Sequence, residues 1–507
     1  MLRSILSVGG WTLLSRLTGF ARDVVMAAVL GAGGLMDVFT VAFRLPNHFR
    51  AIFGEGAFNS AFVPAFSRIR TQDGVEASNL FQGRILSWLV ISQIVLLALA
   101  LLFTPQVITL LAPGFAANPQ KFALAVEVTR ITFPYLTLIT LVTLWSGVLN
   151  ATGKFAVAAA APVLLNLSLL VFVQMAFLFQ TPAHAAGWGV FTAGLLEAAL
   201  LAFAAWRAGV LVMPLKPALS DDVRRFFKAF LPAVIGSAGV QIAMFADTIL
   251  ATLLPEGSAS ALYYADRIYQ LPLGVIAIAA GTVLLPEMSR RLAASDADGA
   301  HRQQNRVMGL TIALTMPFTI AFILLPLEIV AAVFQRGAFD GKAAETSASV
   351  LAAYAIGLPA VVLIRSAVAS FQARGDTRTP MLISLAAVAV NVGLKLVLTG
   401  SFGIAGLALA TSIGAWLNLA LLIAVALKRR WMAPDRELIR IFGCVIFAAL
   451  LLAGAAFAWK GWAFQLAQAF PSFRAEAGIA ILGFTGAAVY AMALLAALKI
   501  AGVRLRR

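Results

Sequence analysis

The sequence predicts an all-α fold: a polytopic membrane protein of about fourteen transmembrane helices, built as two parallel six-helix lobes and a C-terminal helix pair. Three observations predict it. First, 61% of the 507 residues are hydrophobic and 12% are charged, whereas soluble domains carry about 25% charged residues. A soluble core could not hide that much apolar surface, so lipid is the expected solvent. Second, apolar runs near the roughly 20 residues needed to cross the hydrocarbon core recur along the chain. Third, the basic residues responsible for the net charge of +16 gather at the ends of those runs, as membrane topology requires. The same charge on a soluble chain would suggest nucleic acid; here no nucleic-acid partner is expected.

The first run, 5–31, is read as a helix that stays in the protein. Arg16, Arg22 and Asp23 interrupt it, and it has no short apolar core followed by a small-residue cleavage site. Gly31-Ala-Gly-Gly34 reads as a turn. The second run, 35–66, contains Pro46, Gly54, Gly56 and Pro64 and is expected to be kinked or broken, which is tolerated where protein or water satisfies the backbone. Runs 84–112, 121–150, 155–180 and 185–206 complete a first lobe over residues 1–210. Runs 228–254, 260–286, 306–333, 344–371, 379–400 and 402–427 form a second lobe over 211–430. Runs 437–459 and 475–500 form the terminal pair within 431–507. The longest polar connection, about Pro286 to Arg306, is too short for a soluble domain, so function falls to the helices.

Of the 38 Lys and Arg residues, eight lie within runs. Five lie in the loops on one side: Lys121, Arg336, Lys342, Lys460 and Arg474. The remaining 25, Arg68, Arg224, Arg290 and Lys428 among them, lie on the side of the two termini. Both termini are therefore expected in the cytoplasm. A weak repeat supports the lobes. Ala61-Phe-Val-Pro-Ala-Phe-Ser-Arg68 is similar to Val283-Leu-Leu-Pro-Glu-Met-Ser-Arg290, and Ala151-Thr-Gly-Lys154 to Ala373-Arg-Gly-Asp376, at one shared offset of 222. An even number of spans per repeat gives both lobes the same orientation, a known transporter plan with the substrate site between lobes.

Charges inside the runs carry the functional signal. Arg16, Arg22, Arg44, Arg50, Arg130, Arg267, Arg365 and Lys395 lie there, with Asp23, Asp37, Glu55, Glu127, Asp247 and Asp266. Four central arginines facing lipid would cost about 10–14 kcal/mol, so a hydrated chamber is the expected surrounding. Arg16 and Asp23, seven apart, share a helix face. Arginine suits a pyrophosphate because its planar fork binds phosphate bidentately and stays charged. Blander roles compete. Arg44 and Arg130 fit snorkelling at span ends. Arg22–Asp23 and Asp266–Arg267 can serve as structural ion pairs. Asp247 and Lys395 fit either a structural pair or a cation or proton relay. No metal site is expected: His48, His184 and His301 are scattered and Cys444 stands alone. No cofactor is expected either, and no Walker A sequence points to ATP.

The motifs carry a family resemblance. Ser15-Arg-Leu-Thr-Gly-Phe-Ala-Arg-Asp23, Asp37-Val-Phe-Thr-Val-Ala-Phe-Arg-Leu-Pro-Asn47, Phe53-Gly-Glu-Gly-Ala-Phe58 and Ala61-Phe-Val-Pro64 closely resemble the MurJ (MviN) family of lipid II flippases. Tyr263-Tyr-Ala-Asp-Arg267 and Leu271-Pro272 resemble its second-lobe motif. The resemblance covers the whole chain. It implies membership of the multidrug/oligosaccharidyl-lipid/polysaccharide exporter superfamily, with two lobes rocking in alternating access, and a monomer in the bacterial inner membrane surrounded by membrane lipids. It implies lipid II, an undecaprenyl-pyrophosphate-linked muropeptide, as substrate. It places the cavity arginines at Arg16, Arg22, Arg50 and Arg267 and the associated acids at Asp23, Asp37 and Glu55, with the last two helices as a groove for the polyprenyl tail. The chain departs from some members at Gln270 and at Lys395 near Asn391, which argues against cation coupling through the second lobe.

Competing readings are a flippase for another lipid-linked oligosaccharide, an exporter of small cationic drugs, and a membrane scaffold. A drug exporter would need an acidic or aromatic cavity. A scaffold would have no need of buried arginines. No catalytic constellation suggests an enzyme.

Overall fold

The computed structural model describes residues 2–55 and 57–503; the side chains at 2–6, 49, 51–55, 235–242, 277–280, 282–283 and 472 lie outside that description. Every regular element among the described residues is helical. In chain order they are α1 (Leu2–Leu30), α2 (Gly34–Glu55), α3 (Ala57–Gln72), α4 (Gly74–Leu102), α5 (Thr104–Leu111), α6 (Pro119–Thr132), α7 (Pro134–Ala151), α8 (Phe155–Gln174), α9 (Pro182–Arg207), α10 (Asp221–Thr252), α11 (Ser258–Ala293), α12 (Ala297–Leu324), α13 (Pro326–Phe334), α14 (Gly341–Gln372), α15 (Arg378–Lys428), α16 (Arg436–Leu466) and α17 (Arg474–Ile500).

Local chemistry sets many of these boundaries. Asn118 accepts a hydrogen bond from Lys121 N just before Pro119 opens α6, and Thr181 does the same for His184 N before Pro182 opens α9. An N-cap side chain followed by proline at the first helical position is a strong start signal, because proline's missing N–H is not needed there. Asp296 and Asp435 cap α12 and α16 without a following proline, accepting from Gly299 N and Leu438 N. The long run 35–66 divides into α2 and α3 on either side of position 56. The polar connection expected over 286–306 is much shorter: α11 continues through Pro286 to Ala293 and α12 starts at Ala297. Asp296, bonded to Gly299 N at 2.8 Å and Arg291 at 3.0 Å, lets both helices project as polar ends beyond their apolar stretches. Runs 379–400 and 402–427 are merged in the 51-residue α15, which bends at Gly403, where φ is 55° and ψ is −135°. That left-handed φ carries little penalty for glycine.

Nine helical segments among the described residues are long and apolar enough to cross a membrane, α15 counted once. Large apolar side chains remain outside the packed interior, including Phe457, Ile500, Phe177 and Phe484. So much exposed apolar surface fits a lipid-facing belt and not a water-facing one.

The chain packs into two compact units. One comprises Met1–Ser260 with Arg336–Asp340; the other comprises Ala261–Gln335 with Gly341–Arg507. In the first, α1 packs on α8, α8 on α9, α9 on α7, and α2 on α6. Phe58, Phe62, Phe81 and Phe226 tie α3, α4 and α10 together with ring centroids 5.1–6.3 Å apart. The segment 208–220 lies along α4, where Gln82 donates to Val210 O at 3.1 Å. That strap and the aromatic cluster hold α10 in this unit, which therefore extends beyond residue 210. In the second unit, α14 packs on α15, α12 on α14 and α16, and α16 on α17. Met308, Leu363, Phe371, Leu422, Ile441 and Val445 form its main core.

Helix ends recur at the sequence offset of 222. Leu30 and Thr252 end α1 and α10, the breaks at Phe103 and Leu325 separate α4 from α5 and α12 from α13, and Pro119 and Gly341 begin α6 and α14.

One close approach makes a stability prediction. A Cβ on Gly114 would lie 1.8 Å from Thr252 O at the end of α10. Backbone must move to admit it, so Gly114→Ala is expected to cost about 1–3 kcal/mol. Thermal unfolding followed by tryptophan fluorescence checks this; an unchanged midpoint would contradict the packing at α10.

Candidate functional site

Arg22 is 8% exposed and Asp23 3%. Arg22 Nε and Nη2 donate to Asp23 Oδ1 at 3.0 and 2.6 Å, and Nη1 donates to Asn166 Oδ1 of α8 at 2.9 Å. Asn166 Nδ2 in turn donates to Ser15 O at 2.8 Å. The Asn166 side chain thus fastens α8 to α1 and orients the guanidinium at once. Charge-assisted bonds of this kind are the stronger class of hydrogen bond. Arg16, two turns earlier, is exposed.

Asp37 serves as a cap across the fold. Its Oδ1 accepts from Ser260 N and Ser260 Oγ, each at 2.9 Å, and its Oδ2 accepts from Gly257 N at 2.9 Å and Lys121 Nζ at 2.9 Å. Gly257 and Ser260 stand at the start of α11. The exchange is reciprocal: Glu256 Oε1 accepts from Gly34 N, at the start of α2, at 2.7 Å. Two helix N-termini therefore meet, and each receives a carboxylate from the other's chain segment. Carboxylates are favoured there by unpaired amides and the helix dipole.

Further along α2, Arg44 does not snorkel. Its Nε donates to Thr248 Oγ1 at 2.6 Å and its Nη2 to Met244 O at 3.2 Å, both on α10. Acceptors one helix away satisfy it without a reach to the head-group layer. Arg130 and Arg365 are exposed, the setting that snorkelling needs. Arg50 is half-buried, with Nε donating to Asn47 Oδ1 at 3.2 Å. The side chain of Glu55 lies outside the described residues.

In the second unit, Arg267 is half-buried with its guanidinium carbon 4.6 Å from the centroid of the Tyr263 ring, one helical turn before it on α11. A cation over an aromatic face is held without losing its charge. Asp266 accepts from Gln270 on the next turn. Lys395 is 1% exposed and Asn391, one turn earlier on α15, is 8% exposed. Asp247 is half-buried on α10, in the first unit.

Two partnerships were not predicted from sequence. Asn166 stands out only as an amide in the apolar run of α8. Glu197 of α9, 2% exposed, lies 3.4 Å from Tyr135 Oη. No group of three or more His, Cys, Asp or Glu side chains that could hold a metal occurs among the described residues.

With this geometry in hand, comparison with known proteins decides the family. A family model described as lipid II flippase MurJ matches residues 26–472. The chain belongs to the MurJ family. A Rhizobium meliloti protein named probable lipid II flippase MurJ is 40% identical over 478 residues, covering 93% of this chain and 89% of that protein. The lipid II flippase MurJ of Burkholderia cenocepacia is 33% identical over 459 residues, covering 90% and 89%. A solved structure titled lipid II flippase MurJ, inward closed conformation, matches with a TM-score of 0.79 at 22% identity, over 97% of this chain and 98% of that one. An inward-facing MATE family transporter of the MOP superfamily matches with a TM-score of 0.68 at 15% identity, over 86% and 98%. These two structures show that the chain shares their fold. Membership of the MurJ family makes the chain a multi-pass inner-membrane transporter and not an enzyme.

Proposed function

We propose that this chain moves lipid II from the cytoplasmic to the periplasmic leaflet by alternating access. The observation that carries the reading is the match of the MurJ family model over residues 26–472. The site chemistry supports it: Arg16, Arg22, Arg50 and Arg267 offer guanidinium forks suited to a pyrophosphate, and Asp23, Asp37 and Glu55 accompany them. The recurrence of helix ends at the offset of 222 supports two parallel repeats, 1–210 and 211–430, with 431–507 as an appended pair that would carry the polyprenyl tail. The lysine and arginine asymmetry supports cytoplasmic termini. Asp247 and Lys395 with Asn391 fit a coupling or structural role in the helices around them. The working unit is taken as a monomer.

The membrane potential is a sufficient driver, since one elementary charge crossing 100 mV releases about 2.3 kcal/mol, and an anion moving outward runs with an inside-negative potential. The test is depletion of the protein in its host. Lipid II is expected to accumulate in the cytoplasmic leaflet and to be cleared when the wild-type chain is restored. Unchanged leaflet distribution after depletion would end the proposal.

A further inference from the structure

Glu197 lies near the middle of α9, whose neighbours in the first unit are α1, α2, α6, α7 and α8. Its carboxyl is 2% exposed. Among the described residues its hydrogen-bond partner is Tyr135 Oη at 3.4 Å, and no cation stands within ion-pair distance. A single long bond to a neutral phenol does not offset the several kcal/mol needed to take a carboxylate out of water. A neutral carboxylic acid meets a far smaller penalty.

The surrounding described groups leave it in that state. On α7 the facing group is Tyr135, itself fully buried. On α2 it is Arg50, whose positive field acts on Glu197 without a bond, while Arg44 is taken by α10 and His48 Nδ1 is bonded to Arg44 O. On α6, Glu127 is held by His184 at 3.2 Å and Arg130 is exposed. On α1, Arg22 is held by Asp23 and Asn166. The apolar helix α8 has no titratable side chain.

We propose that Glu197 is a proton-binding site of the transport cycle. It keeps its proton while Arg50 engages the anionic head group. With the head group gone, a rise in pH breaks the O–H bond, the proton passes to solvent, and the carboxylate formed attracts Arg50. This rests on the reading of Arg50 as a head-group ligand. The coupling has a definite sign: raising the pH empties the proton site, draws Arg50 away and weakens binding of a pyrophosphate lipid.

The experiment uses the full-length chain in nanodiscs with undecaprenyl pyrophosphate as the probe. Glu197→Gln retains a hydrogen-bonding group for Tyr135 but cannot titrate. Wild type is expected to lose about tenfold or more in affinity between about pH 6 and about pH 9, one pKa unit of coupling being tenfold, and the E197Q variant to lose much less. In the substrate-free protein, infrared spectra should show a protonated carboxyl band at the lower pH that E197Q lacks. A missing band difference, or an E197Q affinity profile that tracks wild type, overturns the proton site. Unchanged binding by Arg50→Ala, with the band intact, overturns the head-group reading and with it the coupling.

Discussion

Arg22→Ala is expected to abolish transport and to destabilise the first unit, and the two effects can be separated. The guanidinium makes two bonds to Asp23 and one to Asn166. Removing it leaves the Asp23 carboxylate, 3% exposed, without the guanidinium bonded to it. Breaking a buried pair from one side costs about 3–5 kcal/mol, mainly because an uncompensated charge remains. A failure of R22A to support growth would therefore mix lost folding with lost chemistry. The double variant Arg22→Ala with Asp23→Asn removes the stranded charge, and replacing a buried pair by neutral groups is often close to neutral. That protein should regain most of its thermal stability.

Its transport should stay lost. A bond between a guanidinium and an anion contributes about 1.5–3 kcal/mol, and two parallel bonds to one phosphate correspond to roughly a hundredfold or more in affinity. Arg22→Lys keeps the charge without the fork and should retain partial function. Complementation of a depleted strain gives one readout and the melting temperature of purified protein the other. Growth of the neutral double variant at the wild-type rate would remove Arg22 from the substrate site and leave it a structural pair. Arg267→Ala is the parallel case in the second unit, where the guanidinium stacks on Tyr263, and it should likewise fail to support transport.

The sequence made the helices legible because their cause is local. A run of apolar residues of membrane length, or an asparagine or threonine before proline, acts within a few positions of itself. The break in the run 35–66 was legible for the same reason. Partners were not. Asp37 was visible as an acid beside an arginine-rich segment, but its ligands come from Lys121, Gly257 and Ser260, and helical periodicity says nothing about which distant helix end will arrive. Arg44 looked like a span-end residue because its depth could be guessed and its neighbour α10 could not. Asn166 gave a weak signal, one amide among aliphatic side chains. Asking which donor an isolated amide in an apolar run must satisfy would have led toward the charges of α1.

Asp37→Ala is expected to show the largest local loosening of any single change. The carboxylate is 3% exposed and accepts four hydrogen bonds, one from an ammonium and two from backbone amides at the head of α11. Alanine would leave Lys121, whose ammonium also sits 4.5 Å from the Phe115 ring centroid, without its carboxylate, and would leave the amides of Gly257 and Ser260 uncapped. Loss of a cap costs about 0.5–2 kcal/mol, and stranding one member of a buried pair about 3–5 kcal/mol. These terms share one group and do not add. Even the lower bound should speed opening of this junction about twofold. Hydrogen exchange at Gly257 and Ser260 reads that opening directly. Adding Lys121→Met removes the stranded ammonium, so the double variant should recover global stability while the two amides still exchange fast. Protected amides at both positions in D37A would show that Asp37 does not hold the start of α11.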